Sequence, residues 1–172
     1  MIEYHIENYV RPWEPYKESL SDKLRIGHLV LDRWAKKIVL VDINILLEVL
    51  ENERTNSGSK KSKYYPIAIT REWLEDVFMF ESKYNAPHSM TIYTSLRNGF
   101  QVHEYRGNFY VAIRITEKIS DYGTLKTKPK ILFINELMDY LFLLKRDTYG
   151  FIEEDLLKIN SAMNIDWESY LQ

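Results

Sequence analysis

A chain of 172 residues, 45% hydrophobic and 28% charged, has the size and composition of one folded domain with a sizeable core. A formal charge of -2 excludes a global basic footprint for nucleic acid, and the absence of cysteine excludes disulfides, thiolate nucleophiles and cysteine-ligated zinc. The 13 tyrosines, 7 phenylalanines and 4 tryptophans favour a binding surface, because rings supply contact area with little rotamer freedom to lose.

The first residues lack the basic start and apolar stretch of a signal peptide, and no run is long and apolar enough to span a membrane, so a cytoplasmic protein with no membrane partner is expected. Residues 1–23 hold Pro12 and Pro15 among tyrosines and Trp13, and read as an aromatic, proline-rich arm. Leu24–Asp32 and Lys36–Asp42 read as two strands of a hairpin whose turn, near Asp32–Ala35, lacks the Asn-Gly signature. Residues 43–52 suit helix and strand equally, and a polar loop follows, near 53–63. Thr70 can cap a helix in which Trp73, Leu74, Val77, Phe78 and Glu81 repeat at helical spacing.

Three strands come next: Thr91–Leu96, Phe100–Tyr105 and Asn108–Ile115, with Gly99 and Gly107 in the turns. A two-residue turn at Arg106-Gly107 sets Glu104 opposite Phe109, Val102 opposite Val111 and Phe100 opposite Ile113 on an apolar face. Glu104 then lies at the turn-side rim, and His103, Tyr105, Tyr110 and Arg114 share the other face. Ile134, Leu137, Met138, Leu141 and Lys145 mark one side of a helix whose Phe142 and Leu144 widen its apolar surface. Phe151–Ile159 reads as a short helix with Ile152, Leu156 and Ile159 inward, and 160–172 as a tail. These elements give an α+β fold, a small antiparallel sheet or SH3-like partly open barrel with two to four packed helices, as one domain over 24–159.

The sequence holds no glycine-rich phosphate loop, no HExxH and no nucleophile elbow. His5, His28, His88 and His103 stand far apart in sequence, and Glu104, Asp121 and Glu136 read as solvated charge, so no catalytic, cofactor or metal residue is assigned. Lys60, Lys61 and Lys63 form one basic run, and Lys126, Lys128 and Lys130 another. If both flank the face of His103, Tyr105, Tyr110 and Arg114, they make a basic-aromatic surface of the kind that stacks single-stranded bases. The tyrosine excess, the broad 134–144 helix and the acidic charge point instead to a protein partner, which is the leading expectation.

Three stretches carry a resemblance. Leu24-Arg-Ile-Gly-His-Leu-Val30 resembles the LRIGN-[LW]-V opening of small proteins encoded by phages and mobile elements of Bacteroidetes. Tyr65-Pro-Ile-Ala-Ile-Thr-Arg-Glu-Trp-Leu74 resembles their PIPLTEEWL segment, and Ile134-Asn-Glu-Leu-Met-Asp-Tyr-Leu-Phe142 their VHELQNLYFAL helix. His28 stands where asparagine is usual, Ala68 replaces a proline, and residues 1–23 are extra. The resemblance implies a barrel-like β unit, then helix, strands and helix, with no catalytic residues to carry over. It also implies an accessory protein in a bacterial host cell. The expectation drawn from it is a protein that binds a host or phage protein, as an inhibitor of a nucleic-acid-handling defence enzyme such as a CRISPR effector would; direct nucleic-acid binding is the alternative.

Overall fold

The computed structural model of the chain describes residues 20–55, 63–112, 129–145, 147 and 149–162. It is a mixed α/β fold with small antiparallel sheets and several helices. Its contacts gather into two compact units, Met1–Ala68 with Tyr149–Gln172, and Ile69–Thr148. No helix among the described residues is long and apolar enough to cross a membrane. Most of the arm, most of the tail and Ile113, the expected partner of Phe100, lie outside the described residues.

In the first unit, β1 (Leu29–Asp32) is buried along its length between β2 (Lys37–Leu40) and β3 (Tyr64–Pro66). The expected hairpin forms, and Asp32 supplies what the missing Asn-Gly would have given. Its Oδ1 accepts the Trp34 and Ala35 N–H groups at 3.0 and 2.9 Å, and Lys36 turns the chain at φ 50°.

The ambiguous stretch is a helix, α1 (Ile43–Thr55), because Asp42 caps it: its Oδ1 accepts the Ile45 N–H at 2.8 Å. Val49 of α1 joins Leu24, Val30, Val41 and Tyr64 in the core. α3 (Glu153–Ala162) packs on β2. Ile159 is buried as expected, but Ile152 is exposed because it precedes the helix, where its N–H is held by the Asp155 carboxylate.

Upstream of β1, Gly27 at φ 93° bends the chain so that its N–H reaches the Val41 carbonyl at 2.8 Å. His28 is buried in this bend, and its Nδ1 accepts the Arg25 N–H at 3.1 Å.

The second unit is a five-stranded antiparallel meander: β4 (Phe80–Asn85), β5 (Met90–Ser95), β6 (Gln101–Tyr105), β7 (Asn108–Ala112) and β8 (Lys130–Ile131). The inferred register holds: Val102 pairs with Val111 and Glu104 with Phe109. Arg106 and Gly107 both adopt positive φ, as a two-residue turn between twisted strands requires.

The helix expected over Trp73–Glu81 is corrected. Thr70 does cap it, its hydroxyl accepting the Trp73 N–H at 3.4 Å, but the last turn, Trp73–Val77, is a π-helical turn with Phe78 N–H bonded to Trp73 O at 2.9 Å. Met79 then enters the left-handed region at φ 56°, which ends the helix, and Glu81 lies on β4. α2 (Ile134–Lys145) buries Ile134, Leu137, Met138 and Leu141 as read from its spacing.

Asparagine carries its Oδ1 where histidine carries Nδ1, so the residue usual in the resembling pattern can accept the same N–H. His28→Asn is expected to hold stability within about 0.5 kcal/mol, whereas His28→Leu is expected to lose about 1–2 kcal/mol, both read from urea unfolding.

Candidate interaction surface

The outer face of the meander carries one cross-strand row: Lys83, Ile92, His103, Tyr110 and Lys130, one residue from each strand. Period-two alternation puts Tyr105 on the same face beside His103. The row thus joins three of the expected surface residues, His103, Tyr110 and Lys130. Lys130 is exposed and Tyr110 half-buried, but His103 is only 3% exposed and offers little surface of its own. The Arg106 guanidinium lies 5.1 Å from the Tyr105 ring centroid, within cation–π range. Lys60, Lys61, Arg114, Lys126 and Lys128 lie outside the described residues.

Lys63 is placed elsewhere, in the first unit and inside a cage. Its Nζ sits 3.1 Å from both Glu48 carboxylate oxygens and 3.9 Å from Asp32, and lies 4.8 and 5.6 Å from the ring centroids of Tyr64 and Trp34. The Tyr64 hydroxyl donates to Glu48 Oε2 at 2.8 Å. Contact with the Tyr64 oxygen, against the opposing pull of burial, and with the help of Glu48, raises the Lys63 ammonium above the ordinary lysine value. Burial alone would raise the Glu48 carboxyl, but the Tyr64 hydroxyl and the Lys63 ammonium outweigh it and hold it below its usual value. The lysine therefore joins α1, β3 and the β1–β2 turn.

The opposite face of the meander holds a buried carboxylate, which corrects the reading of Glu104 as solvated charge. Arg71 donates to both its oxygens, at 2.8 Å from Nε and 2.7 Å from Nη2, and the Tyr93 hydroxyl donates at 2.8 Å. Burial, then the neighbouring carboxylate, pushes the Tyr93 hydroxyl far above its ordinary range. The second carboxylate, Glu136, is also committed, since it accepts the Leu132 and Phe133 N–H groups at 2.7 and 3.2 Å ahead of α2. Asp121 lies outside the described residues.

Phe142 and Leu144, expected to widen the apolar surface of α2, are exposed, and sequence reasoning missed the exposed apolar residues that join them, Leu143, Leu96 and Met79. Phe142, Leu143 and Leu144 end α2 at 47%, 62% and 46% exposure. The Asp147 carboxylate ties this end to the β5–β6 turn: it accepts from Asn98 Nδ2 at 2.6 Å and lies 3.4 Å from Arg97, while its N–H reaches Leu141 O. That turn begins at Leu96, whose N–H points to Met79 O, and both side chains are exposed. Five large apolar side chains thus sit at one end of the unit. The signal for them was the excess width of the 134–144 apolar surface.

Comparison with protein-family models, with curated proteins and with solved structures finds no match.

Because its folded value is depressed, Glu48 contributes stability above the ordinary carboxylate value of 4.5 and loses it as pH falls through the folded value. Its side chain is more than a third exposed, and water screens the pair. Glu48→Gln is therefore expected to cost about 0.5–1 kcal/mol at pH 7. In urea titrations across pH 7 to 3, that difference from wild type should shrink below pH 4.5; a constant difference would assign the loss to packing.

Proposed function

We propose that the chain is a non-enzymatic protein-binding module whose contact surface is the apolar end of the second unit. The observation that supports it best is the run Phe142-Leu143-Leu144, three consecutive large apolar side chains exposed on a helix whose other side already packs into the core. An exposed apolar group of this kind, with an aromatic in it, is the usual nucleus of a protein contact. Met79 and Leu96 extend it, and Arg97 with Asp147 gives it a polar rim.

The resemblance to phage and mobile-element proteins supplies the class of partner: a host protein, and within that class a nucleic-acid-handling defence enzyme such as a CRISPR effector. The SH3-like, partly open barrel that the resemblance implies ahead of the first helix belongs to this proposal too.

A second reading, direct nucleic-acid binding, is favoured by the row that joins Tyr110 to Lys130. Burial of His103 and the caging of Lys63 leave it fewer free contacts among the described residues.

The experiment is capture of partners from a Bacteroidetes host lysate, with nuclease present and at about 500 mM salt, where phosphate contacts fade. One stoichiometric protein retained by wild type, and retained at least tenfold less by Phe142→Ser/Leu143→Ser, is the expected result. Both changes are at exposed positions, so thermal stability should stay within about 2 °C. Equal capture by the variant would remove the proposed surface, and recovery of only nuclease-sensitive material would favour the second reading.

A further inference from the structure

Three sheet edges among the described residues are blocked or short. On the outer edge of β2, the Asn160 side-chain amide accepts the Ile38 N–H at 2.7 Å and donates to the Ile38 carbonyl at 3.0 Å, taking the place of a strand. β3 is three residues long and ends in Pro66, which has no N–H, and β8 has two residues. β4 differs. Among the described residues, its six residues pair only with β5, and Glu81, Ser82, Lys83 and Tyr84 are all exposed.

Which backbone groups of β4 face outward follows from its neighbour. The Ser95 N–H donates to the carbonyl of Phe100, just ahead of β6, at 2.8 Å, while the Leu96 N–H points to Met79 O. Ladder groups alternate, so Thr94, Ile92 and Met90 address β4, and their partners Glu81, Lys83 and Asn85 address β5. The N–H and C=O groups of Phe80, Ser82 and Tyr84 are therefore the ones that point away from the sheet.

We propose that this edge pairs antiparallel with the same edge of a second copy of the chain, about a two-fold axis at Ser82. In that register Ser82 faces Ser82 and Phe80 faces Tyr84 of the other copy, so every outward group meets an outward group, for about six backbone hydrogen bonds. Glu81 then stands directly across from the second copy's Lys83, and its Lys83 across from Glu81, which gives two opposed charge pairs on one face. The exposed Tyr84 ring comes to lie beside Phe80 on the other face.

Neighbouring registers fail. A shift of the centre to residue 81 sets glutamate against glutamate, a shift to 83 sets lysine against lysine, and odd shifts oppose outward groups to groups already committed to β5. The strand is self-complementary in this one register, an isologous contact that buries the same patch on both copies. Its small area places the dissociation constant in the range of about 1–100 µM.

The test is sedimentation of the full chain at low salt, from about 1 to 500 µM, a span set by that affinity range. Wild type is expected to dimerise. Glu81→Lys and Lys83→Glu, each alone, set like charges opposite one another and should weaken self-association at least tenfold. An equimolar mixture of the two should regain it as a heterodimer, because each Lys then faces Glu. Ser82→Pro removes an outward N–H that no described residue of the monomer accepts, and should give a folded monomer by circular dichroism.

The chain lacks cysteine, so Ser82→Cys should cross-link on mild oxidation while Tyr84→Cys should not, since only residue 82 meets its own copy. A wild type that stays monomeric to 500 µM, charge variants that associate as tightly as wild type, a mixture that stays monomeric, or a Ser82→Pro dimer would each overturn the proposal. A monomeric wild type whose capture of another protein is lost in Ser82→Pro would overturn it in favour of that protein's strand.

Discussion

A carboxylate on the inner face of a sheet needs partners before that face can close, and in the second unit Glu104 has them from two directions. Arg71 reaches it from the residues just ahead of the π-helical turn, and Tyr93 reaches it across β5 and β6. The Arg71 side chain is 60% exposed while that of Glu104 is 7% exposed, so the pair runs from water into the interior. The aliphatic stem of the arginine covers apolar surface while the charge is delivered to the acid. Loss of either donor would leave a buried oxygen short of hydrogen bonds, the costliest outcome available to a polar group in a core. The pair also fixes where the helical segment lies on the sheet, and so where Met79 must reverse the chain to begin β4.

The first unit meets the same requirement with different chemistry. Side-chain oxygens stand in for missing backbone geometry at the Asp32 turn and the Asp42 cap, and the Asn160 amide closes the β2 edge. The Lys63 cage then holds α1 to β3 through Glu48 and Tyr64. The Asp32 and Asp42 sites each rely on a short polar side chain at a fixed offset from the backbone group it satisfies.

Legibility in the sequence followed the range of the interaction. The β6–β7 register could be read because Arg106-Gly107 fixes it within a few residues, and the inward side of α2 because its period is local. The β4 strand was hidden because Trp73, Leu74, Val77 and Phe78 have helical spacing and Glu81 continued it by coincidence. Nothing local marks Met79 for the left-handed region. The α1 helix needed only Asp42 to be weighed as a cap. Lys63 read as part of a basic run for a binding surface because Glu48 and Trp34, which cage it, are far from it in sequence. Glu104 was placed at the right register position, but its burial depended on Arg71, 33 residues away.

The proposed contact surface and the proposed self-pairing edge both belong to the unit that Glu104 organises, so that unit's integrity decides how any binding variant is read. The direct measurement is a double-mutant cycle on Arg71→Ala and Glu104→Leu by urea unfolding. Arg71→Ala is expected to cost about 2–3 kcal/mol in the wild-type chain and less than about 0.5 kcal/mol once Glu104 is leucine, because no buried charge is then left unsatisfied. Equal costs in the two backgrounds would contradict the account and reduce the pair to a surface contact.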